Sequence, residues 1–191
     1  MSAFRLSACI VAAVLVAACA EPPNKEIDQA QGAIDAARAA GADRYAGTEY
    51  TAATDALKRA QDAVAQRDYR QALNEALDSR EHAQNAAREA ADTRAQIRGE
   101  VERDMAQIAA LIAEANTRMN TATRTRVPRR ALEGARKEMA AVDASVQKAG
   151  AAMRADDYLA ARTALQGVKE KIGQAMRTLQ GPAVQSSRRA G

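Results

Sequence analysis

The sequence predicts an all-α fold: an elongated antiparallel helical bundle or coiled coil, made of two three-helix units sharing one long central helix. Three observations predict it. Apolar residues recur at alternating steps of three and four along five segments, and no segment alternates in steps of two as a strand would. The 191-residue chain is 47% hydrophobic but 3% aromatic, with alanine supplying most of the apolar count, and alanine is the best helix former. Finally, the seam of one helical hairpin returns later in the chain at a constant offset.

The first helix places Ile27, Ala30, Ile34, Ala37 and Gly41 on one line. Gly41 and Gly47 bracket a loop containing Tyr45, and Thr48 is the expected N-cap of the next helix. That second helix carries Tyr50, Ala53, Leu57, Ala60 and Val64 and stops near Arg67-Asp68, where Asp68 and Gln71 have the spacing of a capping box. The segment 69–119 contains no proline and one glycine, Gly99, so as a single helix it extends roughly 75 Å at 1.5 Å per residue. Its first half aligns Tyr69, Ala72, Ala76, Ser79, Ala83, Ala86 and Ala90; its second aligns Ile97, Val101, Met105, Ile108, Ile112, Ala115 and Met119. Two four-residue steps in succession, 97 to 101 to 105, form a stutter that rotates the apolar face. The boundary between a first unit, 26–98, and a second, 99–180, is expected there.

After an arginine-rich connector, Leu132, Ala135, Met139, Val142, Val146, Ala149 and Met153 mark a fourth helix. Tyr158, Ala161, Leu165, Val168, Ile172, Ala175 and Leu179 mark a fifth that keeps its heptad without interruption. Seam positions 50, 53, 57, 60 and 64 correspond, at an offset of 89, to 139, 142, 146, 149 and 153, and those from 69 to 90 correspond to the whole fifth stripe. The turns correspond too: Asp68-Tyr69-x-x-Ala72 with Asp157-Tyr158-x-x-Ala161. Gly181-Pro182 ends the last helix, and 181–191 has no apolar period, which predicts a disordered basic tail.

The first residues predict the compartment. Arg5 precedes an apolar run of about 11 residues ending before Cys19, too short to span a membrane and suited to a signal-peptide core. Val16-Ala17-Ala18-Cys19 resembles the bacterial lipobox, which implies a signal peptide 1–18, acyl chains on Cys19 and a lipidated tether 19–25. Ala20, rather than aspartate, directly after the cysteine implies an outer-membrane lipoprotein facing the periplasm. With Cys19 modified no thiol pair remains, so disulfide, redox and cysteine–metal chemistry are not expected.

The segment from about Lys25 to Arg103 resembles a group of alanine-rich bacterial envelope proteins carrying domain of unknown function 4398. The resemblance rests on Ala36-Ala37-Arg38-Ala39-Ala40-Gly41-Ala42, Tyr45, Glu49-Tyr50, Ala53, Leu57, Ala60 and Asp68-Tyr69-Arg70-Gln71-Ala72. The chain departs from it at Gly47-Thr48, where a proline tends to stand, and at Arg67, where a glycine usually precedes Asp-Tyr. The resemblance implies an envelope location and assigns no activity to the module.

Catalytic chemistry has little to work with. The one histidine, His82, sits beside Glu81 on an alanine-rich helix without a nucleophile, and Asp156-Asp157 has the position of a helix cap rather than of an acid–base dyad. Metal-ligand spacings and phosphate-cradling glycine loops are absent from the sequence, so no cofactor or metal is expected. Net charge is +4, interspersed with acids along nearly every segment. The exception is the connector, where Arg124, Arg126, Arg129 and Arg130 are candidates for contact with an anion or partner; a solvated basic loop is the competing reading. Without stacking aromatics among these arginines, nucleic acid is not the expected partner.

The sequence therefore points to a non-enzymatic, outer-membrane-anchored lipoprotein acting as a helical spacer or as a docking module for peptidoglycan or an envelope protein. Its partners would be the membrane, through the N-terminal lipid, and a second copy of itself through close-packed alanine seams. The alternative is a chaperone-like or ligand-binding lipoprotein with a groove between the two helical units.

Overall fold

The computed structural model describes residues 21–180. Among the described residues there is helix and turn but no strand, and the chain is all-α. In order, the helices are α1 (Asn24–Ala39), α2 (Ala42–Tyr45), α3 (Gly47–Ala65), α4 (Tyr69–Arg124), α5 (Arg129–Arg154), α6 (Tyr158–Leu165) and α7 (Val168–Gln180). Two compact units divide between Thr93 and Arg94, within α4 and a little before the 98/99 division expected from the stutter. The helix runs uninterrupted through Gly99, where a Cβ would meet nothing within 4 Å, so glycine is not needed there for either turn or packing.

The first unit packs α1, α3 and the first part of α4, with α2 as a one-turn link. Its core is largely methyl groups. Ala30, Ala37, Ala53, Ala56, Ala60, Ala72, Ala76, Ala83, Ala86 and Ala90 are fully buried, and the large buried side chains are Ile34, Leu57 and Tyr45. Side chains this small allow neighbouring helix backbones to approach closely. Ser79 occupies a seam position at 0% exposure because its hydroxyl donates to the Ala53 carbonyl across the interface, 2.8 Å away. Arg59 to Glu75 (2.7 Å) and Arg80 to Gln29 (2.9 Å) tie the seam's edges to α3 and α1.

Two local expectations are corrected here. Tyr45 belongs to α2 and not to a loop, and its ring is buried against Gly41, whose φ of +84° favours glycine and where an added Cβ would lie a tight 3.3 Å from the Tyr45 ring. Thr48 is not an N-cap. The Ala46 carbonyl already accepts from the Tyr50 N–H at 3.0 Å, which starts α3 at Gly47 and leaves Thr48 exposed inside its first turn.

The second unit packs the rest of α4 with α5, α6 and α7, and its core uses larger residues: Ile97, Val101, Ile108, Met139, Val142, Leu165, Val168, Ile172 and Leu179. The expected fifth helix is two helices. Gln166 is extended (φ −60°, ψ 130°) and Gly167 is left-handed (φ +73°), breaking the backbone between α6 and α7. The apolar stripe nevertheless crosses the break intact, with all seven expected positions buried. Heptad spacing reports which residues face the core; it does not report a glycine joint that preserves the facing.

The internal repeat extends to individual hydrogen bonds. Between α3 and α4, Arg67 N–H donates to the Val64 carbonyl (3.0 Å), Asp68 N–H to the Ala63 carbonyl (2.9 Å), and Gln71 N–H to Asp68 Oδ1 (2.9 Å). Between α5 and α6, Asp156 N–H donates to Met153 (3.2 Å), Asp157 N–H to Ala152 (2.9 Å), and Ala160 N–H to Asp157 Oδ1 (3.1 Å). Each turn closes one helix with a left-handed residue, Arg67 (φ 60°) or Asp156 (φ 55°), and starts the next with an aspartate cap. Left-handed backbone costs a side-chain-bearing residue roughly 1 kcal/mol. Arg67→Gly is therefore expected to stabilise the protein by about 0.5 kcal/mol, the remainder being lost to a freer unfolded chain. A thermal melt followed by circular dichroism checks it; a lower Tm would mean that the Arg67 side chain contributes more than its backbone costs.

Candidate functional site

The connector between α4 and α5 brings the four singled-out arginines onto one turn. Arg124 ends α4, Arg126 holds a left-handed φ of 57°, and the Val127 N–H closes α4 by donating to the Ala122 carbonyl at 3.1 Å. Pro128 then turns the chain into α5, whose first residues are Arg129 and Arg130. All four arginines are exposed, and none forms an ion pair among the described residues. From 115 to 132 the chain has five arginines and no carboxylate; the fifth, Arg118, pairs back to Glu114 at 2.6 Å.

The helix dipoles sort these charges. Arg124 sits favourably at the negative end of α4. Arg129 and Arg130 sit at the positive end of α5, with no acidic residue in its first turn and no side-chain cap, each at a cost of about 0.3–1 kcal/mol. Helix stability alone would select the opposite charge at those two positions.

Beside the connector lies an open groove of about 280 Å³. Thr117, Thr121, Ala122 and Val127 form one wall; Met176 and Leu179 from the end of α7 form the other. The hydroxyls of Thr117, Thr121 and Thr125 each donate to the carbonyl four residues back, at 3.0 to 3.1 Å, so they are spent as donors. Sequence reading reached the basic rim and missed this apolar floor. The available signal was the threonine step of four beside Ala122, which continues the 101, 108, 115 spacing of buried residues one heptad further. Met176 lies off the 158–179 stripe and is half-buried, so a count of seam positions does not find it.

The remaining candidates serve the fold. His82 Nδ1 lies 2.8 Å from Glu49 Oε2, half-buried, linking α4 to α3. Asp157 caps α6, and Asp156 accepts from the Tyr158 hydroxyl at 2.6 Å. That hydrogen bond, then burial, raises the Tyr158 pKa, so the phenol stays a neutral donor, with the Arg94 guanidinium 5.7 Å from its ring centre. Of the two tyrosines at corresponding seam positions, Tyr158 is buried and Tyr69 half-buried. Among the described residues no group of three or more His, Cys, Asp or Glu could hold a metal ion, and no helix is long and apolar enough to cross a membrane. Cys19, the expected signal 1–18 and the expected tail 181–191 lie outside the described residues.

Residues 25–103 match the family model described as Domain of unknown function (DUF4398). This segment is similar to DUF4398. DUF4398 takes in α1, α2, α3 and α4 as far as Arg103, and so covers the alanine-packed helices of the first unit. The departure at Arg67 now has a physical meaning, because the position is left-handed and glycine is the residue that adopts it without strain. The basic connector and its groove lie beyond the DUF4398 match, in a part of the chain to which the family description does not extend. No curated protein and no solved structure matches the chain.

Proposed function

We propose that this protein is a non-enzymatic lipoprotein of the bacterial outer membrane, held by acyl chains on Cys19, whose helical units space or dock the membrane against peptidoglycan or an envelope protein. The observation that carries the reading is Val16-Ala17-Ala18-Cys19 behind a short apolar run and Arg5, with Ala20 following. Close-packed helical cores support a role in contact: their one buried polar residue among the described positions, Ser79, is spent on a helix–helix hydrogen bond.

Fractionation of cells labelled with palmitate tests the reading. The wild-type chain should sediment with outer membranes and carry label, whereas Cys19→Ala should carry none and lose at least about tenfold of its membrane association. Absence of label from the wild type sinks the anchor. A photo-crosslinker placed on the exposed face of α4 in the same cells should capture peptidoglycan or an envelope protein, and capture of neither removes the docking role.

A further inference from the structure

The connector combines two features that a solvated loop does not need: four arginines without carboxylate partners, and an apolar groove beside them. Thr125 and Val127, which line the groove together with Arg118, are chain neighbours of Arg124 and Arg126, so the basic connector and the apolar wall share one piece of backbone. The opposite wall is the end of α7, where Arg177 adds positive charge and 174–180 contains no acid. An occupant must therefore be negative at one point and apolar at the next.

Two occupants meet that description, an acidic peptide and an anionic lipid, and the lining separates them. A peptide carries backbone N–H and C=O groups that need partners when they leave water. The threonine hydroxyls that could have served as donors are already bonded to their own helix, Arg118 is paired with Glu114, and Gln180 offers one amide, too few partners for a peptide backbone. An acyl chain brings no such groups, and a phosphate is matched by the planar fork of arginine. At about 280 Å³ the groove is below the usual 300–1,000 Å³ of small-molecule sites, so it takes the start of one chain and leaves the rest in the bilayer.

We infer that this groove and the four connector arginines form a binding site for an anionic phospholipid at a membrane surface, with the phosphate on the guanidiniums and the beginning of an acyl chain between Ala122, Val127, Met176 and Leu179. It is a second, reversible membrane contact independent of Cys19, and it accounts for Arg129 and Arg130 standing at the unfavourable end of α5. Because the contact is electrostatic at its rim, it is salt-sensitive.

The test is sedimentation of chain 20–191, which keeps every described helix and lacks Cys19, with vesicles of phosphatidylglycerol or phosphatidylcholine. The expected result is binding to phosphatidylglycerol at low salt, loss at about 0.5 M salt, and none to phosphatidylcholine. Replacing Arg124, Arg126, Arg129 and Arg130 together by glutamine should weaken binding at least about tenfold. Met176→Gln, which makes the groove polar, and Thr125→Trp, which fills it from an exposed position, should each weaken binding at least about threefold with an unchanged circular dichroism spectrum. The inference is overturned by absence of binding to phosphatidylglycerol vesicles, and equally by binding that ignores both groove substitutions, which would leave surface charge alone. Binding seen only after truncation at Gln180 overturns it too, since the groove would then belong to the chain's own last residues. Any of these failures leaves the palmitate test of Cys19 untouched.

Discussion

Ala76→Leu is expected to destabilise the first unit by about 3 kcal/mol or more, at the upper end of what overpacking costs. Ala76 is fully buried in a row of small residues, from Ala72 to Ala90, in a core whose large buried side chains are few: Ile34, Leu57 and Tyr45. Three added carbons must push the helices apart, and with them the Ser79–Ala53 hydrogen bond, which depends on the same close approach. Urea denaturation followed by circular dichroism checks the value. Ala91→Leu, on the exposed face of the same helix, controls for helix propensity and should stay within about 0.5 kcal/mol of the parent. Equal tolerance of the two substitutions would mean that the seam is not close-packed.

The second unit should fail in the opposite direction. Ile172→Ala removes a fully buried side chain from a core built of larger residues. A loss of about 2–5 kcal/mol is expected, combining lost burial with a residual cavity. A fall in the urea midpoint with an unchanged slope would show that the native packing alone was affected. A loss below about 1 kcal/mol would mean that α7 is not firmly seated on α5.

Seam residues were the most legible part of the chain, because a helix that packs on one face writes its period of three and four into the sequence. Ala30, Ile34 and Ala37 in α1, the run from Ala72 to Ala90, and the stripe from Tyr158 to Leu179 are all buried as the spacing predicts. Features that depend on single backbone angles were less legible. The joint at Gly167 leaves the stripe in register and so leaves no trace in it, and α3 begins at Gly47 because a carbonyl of the preceding turn is already engaged, which no side-chain pattern records. In the candidate site the four arginines could be read directly, since charge without acids is visible in a sequence. The groove beside them could not: its walls come from α4 and α7, more than fifty residues apart, and alanine and threonine look alike on a helix whether they line a cleft or meet water.

The left-handed glycine between α6 and α7 has a consequence for how the second unit opens. Helical hydrogen bonding propagates cooperatively along a continuous backbone and stops where the backbone leaves the helix. Gln166 N–H turns back to Thr163, and the next bond belongs to α7, from Lys171 N–H to the Gly167 carbonyl, so α6 and α7 are separate cooperative segments. Thirteen residues are too few to be helical alone in water, which leaves α7 dependent on its seat against α5 and on the Lys169 contacts to Asp104 and Gln107, both 2.6 Å. Amides of α7 should therefore exchange with solvent through openings of their own, distinct from those of the eight-residue α6. The groove wall carrying Met176 and Leu179 is thus held by the packing of α7 on its neighbours and not by a continuous helix with α6.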